Sequence, residues 1–322
     1  MSIPATMIEG PPRYPPSAVK QWLTCPEFWR LSKVWEPRAA GWTPHRVVGQ
    51  AIHAGIAAWL RPQVAGYVSP EPPPSPLSVA LEVMSDGYIP QDTWALDGLC
   101  ALTEKGLKRL QRLVGDEILP GATVLAVEYP DPVQDPRLGT HRLHRVVDCI
   151  LSRGDALEVW DWKSKIRLDE AYLEETTRAA LHAWQLLDYS WHAGQWANRR
   201  GVLPTLPDRA PSGAPWAVHY AAHGLVVLGP KLLAQAIPVT LTSERLVQWR
   251  RDADVIWYRM WRHQQTGFTW HNWEACSDRH LHYGKECVMV PACHLLNGNE
   301  ERFLGVYQQR KVSDGLHDSH EE

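Results

Sequence analysis

An aspartate and a lysine stand two residues apart in a segment that is otherwise almost entirely apolar, residues 157–163. The alternation of Leu, Val and Trp in this segment predicts a β-strand, in which residues two apart point to the same side. Asp161 and Lys163 therefore share one face of the predicted strand. Such a pair is usually a surface ion pair, but the apolar surroundings favour a paired or metal-bound carboxylate here.

A second carboxylate, Asp148, lies in the preceding predicted strand, residues 143–151. The tetrapeptide Ser-Arg-Gly-Asp that follows is typical of a hairpin turn, and a hairpin can bring Asp148 level with Asp161. Carboxylates on a rigid sheet are the hard oxygen ligands that Mg²⁺ or Mn²⁺ prefers. A neighbouring lysine can hold a phosphate oxygen or position the attacking water. These residue types together suit phosphodiester hydrolysis.

Predicted helices on either side of the strands carry further candidate residues. Residues 47–60 show helical apolar spacing and include His53. A longer helix, predicted over residues 170–198, carries Gln185 and Tyr189 four residues apart and so on one face, where an amide and a phenol can support the lysine or contact a DNA backbone. Each has an ordinary alternative, a hydrogen-bonded boundary histidine or simple helix packing.

The order of these segments resembles the motif set of the PD-(D/E)XK nuclease superfamily, in its RecB-like exonuclease branch, which includes AddB and the CRISPR adaptation exonucleases. The matching segments are Gly49-Gln-Ala-Ile-His53, Glu128, Arg145-Val-Val-Asp148, Asp161-Trp-Lys163 and Gln185-Leu-Leu-Asp-Tyr189. Two positions depart from the usual pattern: Arg145 replaces a glycine, and Asp161 stands where many relatives have Glu.

The resemblance implies a role for each matched residue. The metal ligands that it implies are His53, Asp148, Asp161 and the backbone carbonyl of Trp162. Lys163 corresponds to the catalytic lysine, and Gln185 and Tyr189 correspond to the Q-x-x-x-Y motif of the branch. Glu128 matches a loosely defined acidic position that precedes the second motif.

Four cysteines suggest a second metal centre: Cys25, Cys276, Cys287 and Cys293. The last three lie in a segment with little helical or strand periodicity, where loops can wrap an ion or cluster. Cys25 is the natural fourth ligand, and it would pin the two ends of the chain together. Four thiolates suit a [4Fe-4S] cluster or structural Zn²⁺. The resemblance implies the [4Fe-4S] cluster; zinc, or a histidine such as His280 or His282 in place of one cysteine, remains an alternative.

Composition and charge limit the class of protein. The chain has 322 residues, of which 44% are hydrophobic and 21% charged, as in globular proteins. Its formal net charge of -3 means that nucleic-acid binding would need a local basic groove. No stretch is long and apolar enough to span a bilayer, and no apolar leader is visible, so we expect a cytoplasmic protein without a membrane partner.

The resemblance implies an α/β fold with a restriction-endonuclease-like core, a mixed central sheet flanked by helices, and the predicted helices and strands agree with it. An N-terminal helical part and a C-terminal iron-sulfur-binding part would accompany this core. The predicted divisions are residues 1–118 for the N-terminal arm and helical part, which carries Cys25 and His53; 119–235 for the nuclease core; 236–300 for the C-terminal helix and cysteine segment, packed with the N-terminal part; and 301–322 for a polar tail.

Further elements follow from the same patterns. Helices are predicted over residues 18–31, with a break at Cys25-Pro26, and over residues 99–114 and 243–265. An additional strand is predicted over residues 123–129, and residues 216–228 predict one more strand or a hairpin through Gly224. The Pro-rich residues 61–78 predict a surface connection.

The expected function is metal-dependent hydrolysis of DNA by an exonuclease that acts on single strands or free ends. The resemblance places it in recombination, repair, or a phage- or CRISPR-related process, with a recombination, helicase or integrase-type protein as a possible partner. Two alternatives stay open: a non-catalytic DNA-binding module of the same fold that acts through a partner, and a zinc-stapled endonuclease.

Overall fold

The computed structural model describes residues 14, 16–37, 44–69, 71–88, 95–129, 147–154, 156–165, 183–200, 220–227, 234–267 and 307–309. These residues fall into two compact units. The smaller unit comprises the described parts of Met1–Trp42 and Asp254–Glu322, and the larger unit comprises those of Thr43–Ala253.

The described helices and strands are as follows. The α-helices are α1 (Pro16–Thr24), α2 (Pro26–Val34), α3 (Pro44–Leu60), α4 (Pro76–Gly87), α5 (Leu96–Leu113), α6 (Trp184–Arg200) and α7 (Ser243–Thr266). The strands are β1 (Trp35–Pro37), β2 (Thr123–Tyr129), β3 (Val147–Arg153), β4 (Ala156–Lys165), β5 (Tyr220–Val227), β6 (Ala234–Val239) and β7 (Tyr307–Gln309). A 3₁₀ turn (Arg61–Gln63) follows α3, and a π-helical turn (Val114–Ile118) follows α5.

The larger unit is built on a five-stranded sheet with the strand order β2-β3-β4-β5-β6. Strands β4 and β5 are parallel, and the other neighbours are antiparallel. Because β4 is central, residues on both of its faces are buried, from Leu157 to Trp162. This mixed sheet flanked by helices is the α/β core that the sequence predicts. The predicted iron-sulfur-binding part rests on residues outside those described.

Proline marks the start of four helices. Pro16, Pro26, Pro44 and Pro76 each stand at the first helical position, where the fixed φ of proline suits the helix and its missing N–H has no partner to lose. The break predicted at Cys25 is confirmed, since α1 ends one residue before it and α2 begins one residue after it. The Pro-rich segment predicted as a connection is less simple, because it begins with a 3₁₀ turn and ends in α4.

Helix α3 packs against α4, α5 and strands β2, β3 and β4, and α5 also contacts strands β5 and β6. Gly55 of α3 permits α4 and α5 to pack closely against α3. A Cβ atom at this position would lie 2.8 Å from Leu107 Cδ2 and 3.0 Å from the Cβ atom of Ala80. Any larger residue would push these helices apart and disturb the helix that carries His53.

A buried acid holds the β3-β4 hairpin near its turn. Glu158 is almost fully buried, and its carboxylate accepts hydrogen bonds from Arg153 Nε at 2.6 Å and Trp160 Nε1 at 3.1 Å. Arg153 also donates to the backbone carbonyls of Ile118 and Pro120, after the π-helical turn. The turn itself uses Gly154 at a φ of 57°. The hairpin is therefore fixed at the end that lies away from Asp148 and Asp161.

The smaller unit joins the N-terminal helices to the end of α7. Tyr14 Oη donates to Gln264 Oε1 at 2.8 Å, and Trp22 Nε1 donates to His263 Nδ1 at 3.2 Å. Strands β1 and β7 pair antiparallel in the same unit. Burial raises the pKa of Tyr14 to about 12, so its hydroxyl stays protonated and can donate.

Parts of several predicted elements lie outside the described residues: 143–146, 170–182, 216–219 and 228. Where the prediction can be compared, strands β2 and β4 and helices α3, α5 and α7 match it closely. Strand β6 and helix α4 are additional elements. In the described residues, no helix combines the length and apolar character needed to cross a membrane.

Candidate active site

Asp161 and Lys163 form an ion pair on the central strand β4. The Lys163 Nζ atom lies 2.8 Å from Asp161 Oδ1 and 2.7 Å from Asp161 Oδ2. The pair shows that these residues project to the same side of the strand, as the two-residue spacing predicts. The Asp161 side chain is only 2% exposed and that of Lys163 is 33% exposed. The strand thus holds a buried carboxylate beneath an ammonium group that solvent can reach.

Asp148 lies opposite Asp161 on the neighbouring strand β3. The backbone pairing between β3 and β4 runs from Arg153 and Ala156 as far as Cys149 and Trp160, so position 148 faces position 161 just beyond the last pair. Beyond that last backbone pair, the side chain of Asp148 links the two strands, because its Oδ2 accepts a 2.6 Å hydrogen bond from the backbone N–H of Trp162. The two carboxylates are thus held one strand apart.

Helix α3 brings His53 to this pair of carboxylates. Its Nδ1 atom lies 3.7 Å from Asp148 Oδ1, and 31% of the His53 side chain is exposed. Burial on its own would lower the pKa of His53, but the adjacent Asp148, helped by Asp161 and opposed by Lys163, outweighs it, so the pKa is raised. The imidazole therefore responds to the charges of all three residues that the two strands supply.

Helix α6 contributes Gln185 and Tyr189, which lie one turn apart. The Gln185 Nε2 atom donates to Asp161 Oδ1 at 3.1 Å and to Tyr189 Oη at 2.9 Å. An amide nitrogen carries two hydrogens, so one residue can bind both partners. Burial, with the nearby Asp161 charge, raises the pKa of Tyr189, and its phenol stays neutral. A polar chain therefore runs from Lys163 through Asp161 and Gln185 to Tyr189.

Glu128 makes a different contact from the other matched residues. Its carboxylate Oε2 lies 3.1 Å from Arg61 Nη2. Arg61 begins the 3₁₀ turn that directly follows α3. Glu128 has a φ of 49°, in the left-handed region that residues other than glycine rarely adopt. The sequence does not single out Arg61; the proline that follows it, with the end of an apolar helix before it, indicates no more than a helix terminus.

The donor atoms at this site suit a hard divalent cation, although they do not form a ready-made cage. Two carboxylates and an imidazole are ligands that Mg²⁺ and Mn²⁺ accept. The separation of 3.7 Å between His53 Nδ1 and Asp148 Oδ1 is too long for a hydrogen bond and compatible with two ligands of one ion, each roughly 2.1 Å from it. Within the described residues, no three His, Cys, Asp or Glu side chains converge closely enough to hold a metal ion.

The ammonium group of Lys163 lies against both oxygens of Asp161. The structure therefore brings together six of the residues that the sequence predicts for the site. They are His53, Asp148, Asp161, Lys163, Gln185 and Tyr189. Their roles, and that of the Trp162 carbonyl, stay predictions.

Of the four cysteines predicted to hold a cluster, the structure describes one, Cys25. Cys25 is buried at the junction between α1 and α2. Its carbonyl accepts a hydrogen bond from the N–H of Trp29 at 3.0 Å, and its own N–H donates to the carbonyl of Gln21 at 2.9 Å. The three remaining members lie outside the described residues: Cys276, Cys287 and Cys293.

A mixed sheet that carries two carboxylates and a lysine on adjacent strands, with an imidazole and a glutamine from flanking helices, is the arrangement of a nuclease that uses a divalent metal ion. The family model of the PD-(D/E)XK nuclease superfamily matches residues 13–276. The chain belongs to this superfamily. No curated protein sequence matches the chain significantly.

Proposed function

We propose that this protein is a RecB-like exonuclease that hydrolyses the phosphodiester bonds of single-stranded DNA with Mg²⁺ or Mn²⁺. The observation that carries the proposal is the ion pair between Asp161 and Lys163 on β4, with Asp148 facing it from β3. The motif order of the RecB-like branch and the superfamily match support it.

Each residue of the site has a part in this proposal. Asp148 and Asp161 supply negative oxygens, His53 supplies an imidazole nitrogen, and the Trp162 carbonyl completes the protein ligands. When Mg²⁺ or Mn²⁺ is bound, it polarises the phosphate and lowers the pKa of the attacking water. Lys163 orients that water, since its ammonium group is a partly exposed cation of the site; only the neutral amine could take the proton of the water.

Gln185 and Tyr189 keep this arrangement in place. The Gln185 amide fixes the rotamer of Asp161 through one hydrogen bond and is itself fixed by Tyr189 through the other. Ligands held in this way need no reorganisation when the substrate binds. We assign Gln185 and Tyr189 as positioning residues for Asp161 and, through it, for Lys163.

We also propose that Cys25, Cys276, Cys287 and Cys293 hold a [4Fe-4S] cluster, with structural zinc as the alternative. The cluster would staple the N-terminal helices to the C-terminal segment. Support comes from the smaller unit, where Trp22 contacts His263, Tyr14 contacts Gln264, and β1 pairs with β7. These contacts bring the residues around Cys25 close to parts of the chain more than 200 positions away.

The biological setting follows from the substrate. A single-strand exonuclease would act in the cytoplasm on DNA ends made during recombination, repair, or a phage- or CRISPR-related process. A helicase, recombination or integrase-type protein would supply such ends.

The experiment that tests the proposed function compares four end- or body-labelled substrates: linear and circular single strands, and linear and nicked circular duplexes. Anaerobically purified protein is incubated with each in Mn²⁺, in Mg²⁺ and in a chelator. We expect metal-dependent degradation of the linear single strand while the circular single strand stays intact. Cleavage of the circular single strand, which has no ends, would show an endonuclease instead. DNA binding without cleavage in either metal would show a non-catalytic module.

A further inference from the structure

The ion pair between Arg61 and Glu128 lies beside the proposed catalytic residues. Asp148 on β3 approaches His53 of α3, and Glu128 on β2 contacts Arg61 in the 3₁₀ turn that directly follows α3. His53 and Arg61 are eight residues apart, which corresponds to a rise of about 12 Å. Glu128 and Asp148 therefore point toward the α3 side of the sheet.

The three acidic residues occupy neighbouring strands at the same level of the sheet. Val127 pairs with Cys149 and Tyr129 pairs with Val147, so Glu128 on β2 lies opposite Asp148 on β3. Asp148 in turn faces Asp161 on β4. Adjacent strands are about 4.8 Å apart, so Glu128 is roughly one strand spacing from a proposed metal ligand.

Exposure increases along this row of acids. The side chain of Asp161 is 2% exposed, that of Asp148 is 15% exposed and that of Glu128 is 39% exposed. The site is therefore closed at β4 and becomes accessible to solvent toward β2. Arg61, with 36% of its side chain exposed, is the cation at this accessible side.

A contribution to stability does not account for the ion pair between Arg61 and Glu128. An ion pair this exposed contributes little to stability, whereas a glutamate at a φ of 49° has a cost in backbone strain. Strain of this kind persists where the surrounding structure imposes it, and it concentrates at functional sites. A strained residue that holds an arginine beside proposed catalytic residues indicates that the position of the guanidinium matters.

We propose that Arg61 binds a backbone phosphate of the DNA strand close to the scissile bond, and that Glu128 positions its guanidinium. A planar guanidinium can bind a phosphate through two hydrogen bonds, which fixes the register of the strand over the site. This inference rests on the proposed function, because it assigns the part of the substrate that the site binds.

The first test measures binding in the Lys163→Ala background, where we expect cleavage to be slower by about 10² to 10⁴-fold. Binding of a fluorescent single strand is titrated at several salt concentrations for Arg61→Ala, Arg61→Lys and the matched control Arg109→Ala, which removes an exposed arginine from α5. Loss of one phosphate contact should reduce the slope of log K against log salt by about 0.7. We expect this change for Arg61→Ala, about tenfold weaker binding, and neither change for Arg109→Ala.

The second test locates the phosphate with strands that carry one neutral methylphosphonate linkage, placed at successive positions. We expect to find one linkage near the cleavage position that depends on Arg61. A neutral group there should weaken DNA binding by the protein that retains Arg61, and should not weaken binding further in Arg61→Ala. Glu128→Gln should weaken the same coupling by releasing the guanidinium from its position, although Arg61 keeps its positive charge. Thermal midpoints for every variant separate loss of contact from loss of fold.

The outcomes distinguish this inference from the proposed function. If the wild-type protein degrades single strands and Arg61→Ala, folded as judged by its thermal midpoint, shows an unchanged salt slope and no coupling at any linkage, the inference about Arg61 is wrong and the proposed function stands. If the wild-type protein neither binds nor degrades single strands, both are wrong.

Discussion

The carboxylate of Asp148 accepts a hydrogen bond from the backbone N–H of Trp162 on the neighbouring strand, over 2.6 Å. The N–H belongs to the residue between Asp161 and Lys163, so one contact joins the two strands at the point where their backbone pairing has ended. The oxygen that accepts this bond orients the carboxylate, and the other oxygen points toward His53.

Replacement of Asp148 by Asn separates the orienting role from the charge. An amide oxygen can still accept from the Trp162 N–H, so the free energy of unfolding should change by less than about 1 kcal/mol. Loss of the negative charge should weaken Mn²⁺ binding by more than about a hundredfold, because loss of an outer-shell partner alone costs 10- to 100-fold. Calorimetric titration with Mn²⁺ and chemical denaturation measure the two effects. Unchanged Mn²⁺ affinity would show that Asp148 is not a ligand.

Gln185 and Tyr189 should act together rather than independently. Replacement of Gln185 by Ala leaves the buried Asp161 without one of its hydrogen bonds, at a cost of about 1 to 3 kcal/mol in stability. It should also lower kcat by about 10- to 100-fold with little change in KM, because the residue orients a ligand and does not bind the substrate. Tyr189→Phe on its own should lower stability and kcat by less than Gln185→Ala does.

A double-mutant cycle checks this coupling. Residues in direct contact show interaction energies of about 0.5 to 3 kcal/mol, and the Gln185 to Tyr189 bond is 2.9 Å long. We expect the effect of Tyr189→Phe on kcat to disappear in the Gln185→Ala background. Strictly additive effects would mean that Tyr189 does not act through Gln185.

How much of this site the sequence predicts depends on distance along the chain. The common face of Asp161 and Lys163 follows from a spacing of two on a strand, and the contact of Gln185 with Tyr189 follows from a spacing of four on a helix. Both relationships are local, so the period of the element fixes them. The facing of Asp148 and Asp161 needs the hairpin register as well, which the short turn supplies.

The remaining contacts depend on how separate elements pack, which no local pattern encodes. The motif resemblance led to His53, but the approach of its ring to Asp148 depends on how α3 lies on the sheet. The contact of Arg61 with Glu128 depends on the end of the same helix and on an unusual φ that the sequence does not reveal. The sequence pattern does not predict helix α4, because its N-terminal proline falls within the Pro-rich segment 61–78.

The proposed cluster predicts a coloured protein. Anaerobically purified wild-type protein should be brown with broad visible absorption, and Cys25→Ser should lose the colour and most of the bound iron. Cys100→Ser is the matched control, since Cys100 is partly exposed on α5 and is not among the proposed ligands. Metal analysis distinguishes iron from zinc. A colourless protein with stoichiometric zinc would replace the iron-sulfur assignment by the zinc alternative.

The contact of Trp22 with His263 predicts a pH dependence in the smaller unit. Burial, together with Arg259, lowers the pKa of His263, and its neutral Nδ1 accepts from the Trp22 indole. The unfolded chain therefore takes up the proton first as the pH falls below about 6.5. Stability from this contact is complete above that pH and is lost as the pH falls toward the lower folded pKa.

Thermal midpoints of wild type and His263→Gln between about pH 5 and 8 measure this effect. Glutamine keeps an acceptor for the Trp22 indole but does not titrate in this range, so its midpoint should fall less on acidification. The two proteins should converge above about pH 7. Parallel profiles over the whole range would show that His263 does not contribute to the acid sensitivity.

The most direct measurement is Mn²⁺-dependent degradation of a labelled linear single strand by the wild-type protein, by Lys163→Ala and by Lys105→Ala. Lys105 is exposed on α5 and provides a matched loss of one positive charge. The wild type and Lys105→Ala should degrade the strand at similar rates, whereas Lys163→Ala should be slower by about 10² to 10⁴-fold, with its fold and DNA affinity retained. Normal degradation by Lys163→Ala would contradict the assignment of the active site to Asp148, Asp161 and Lys163.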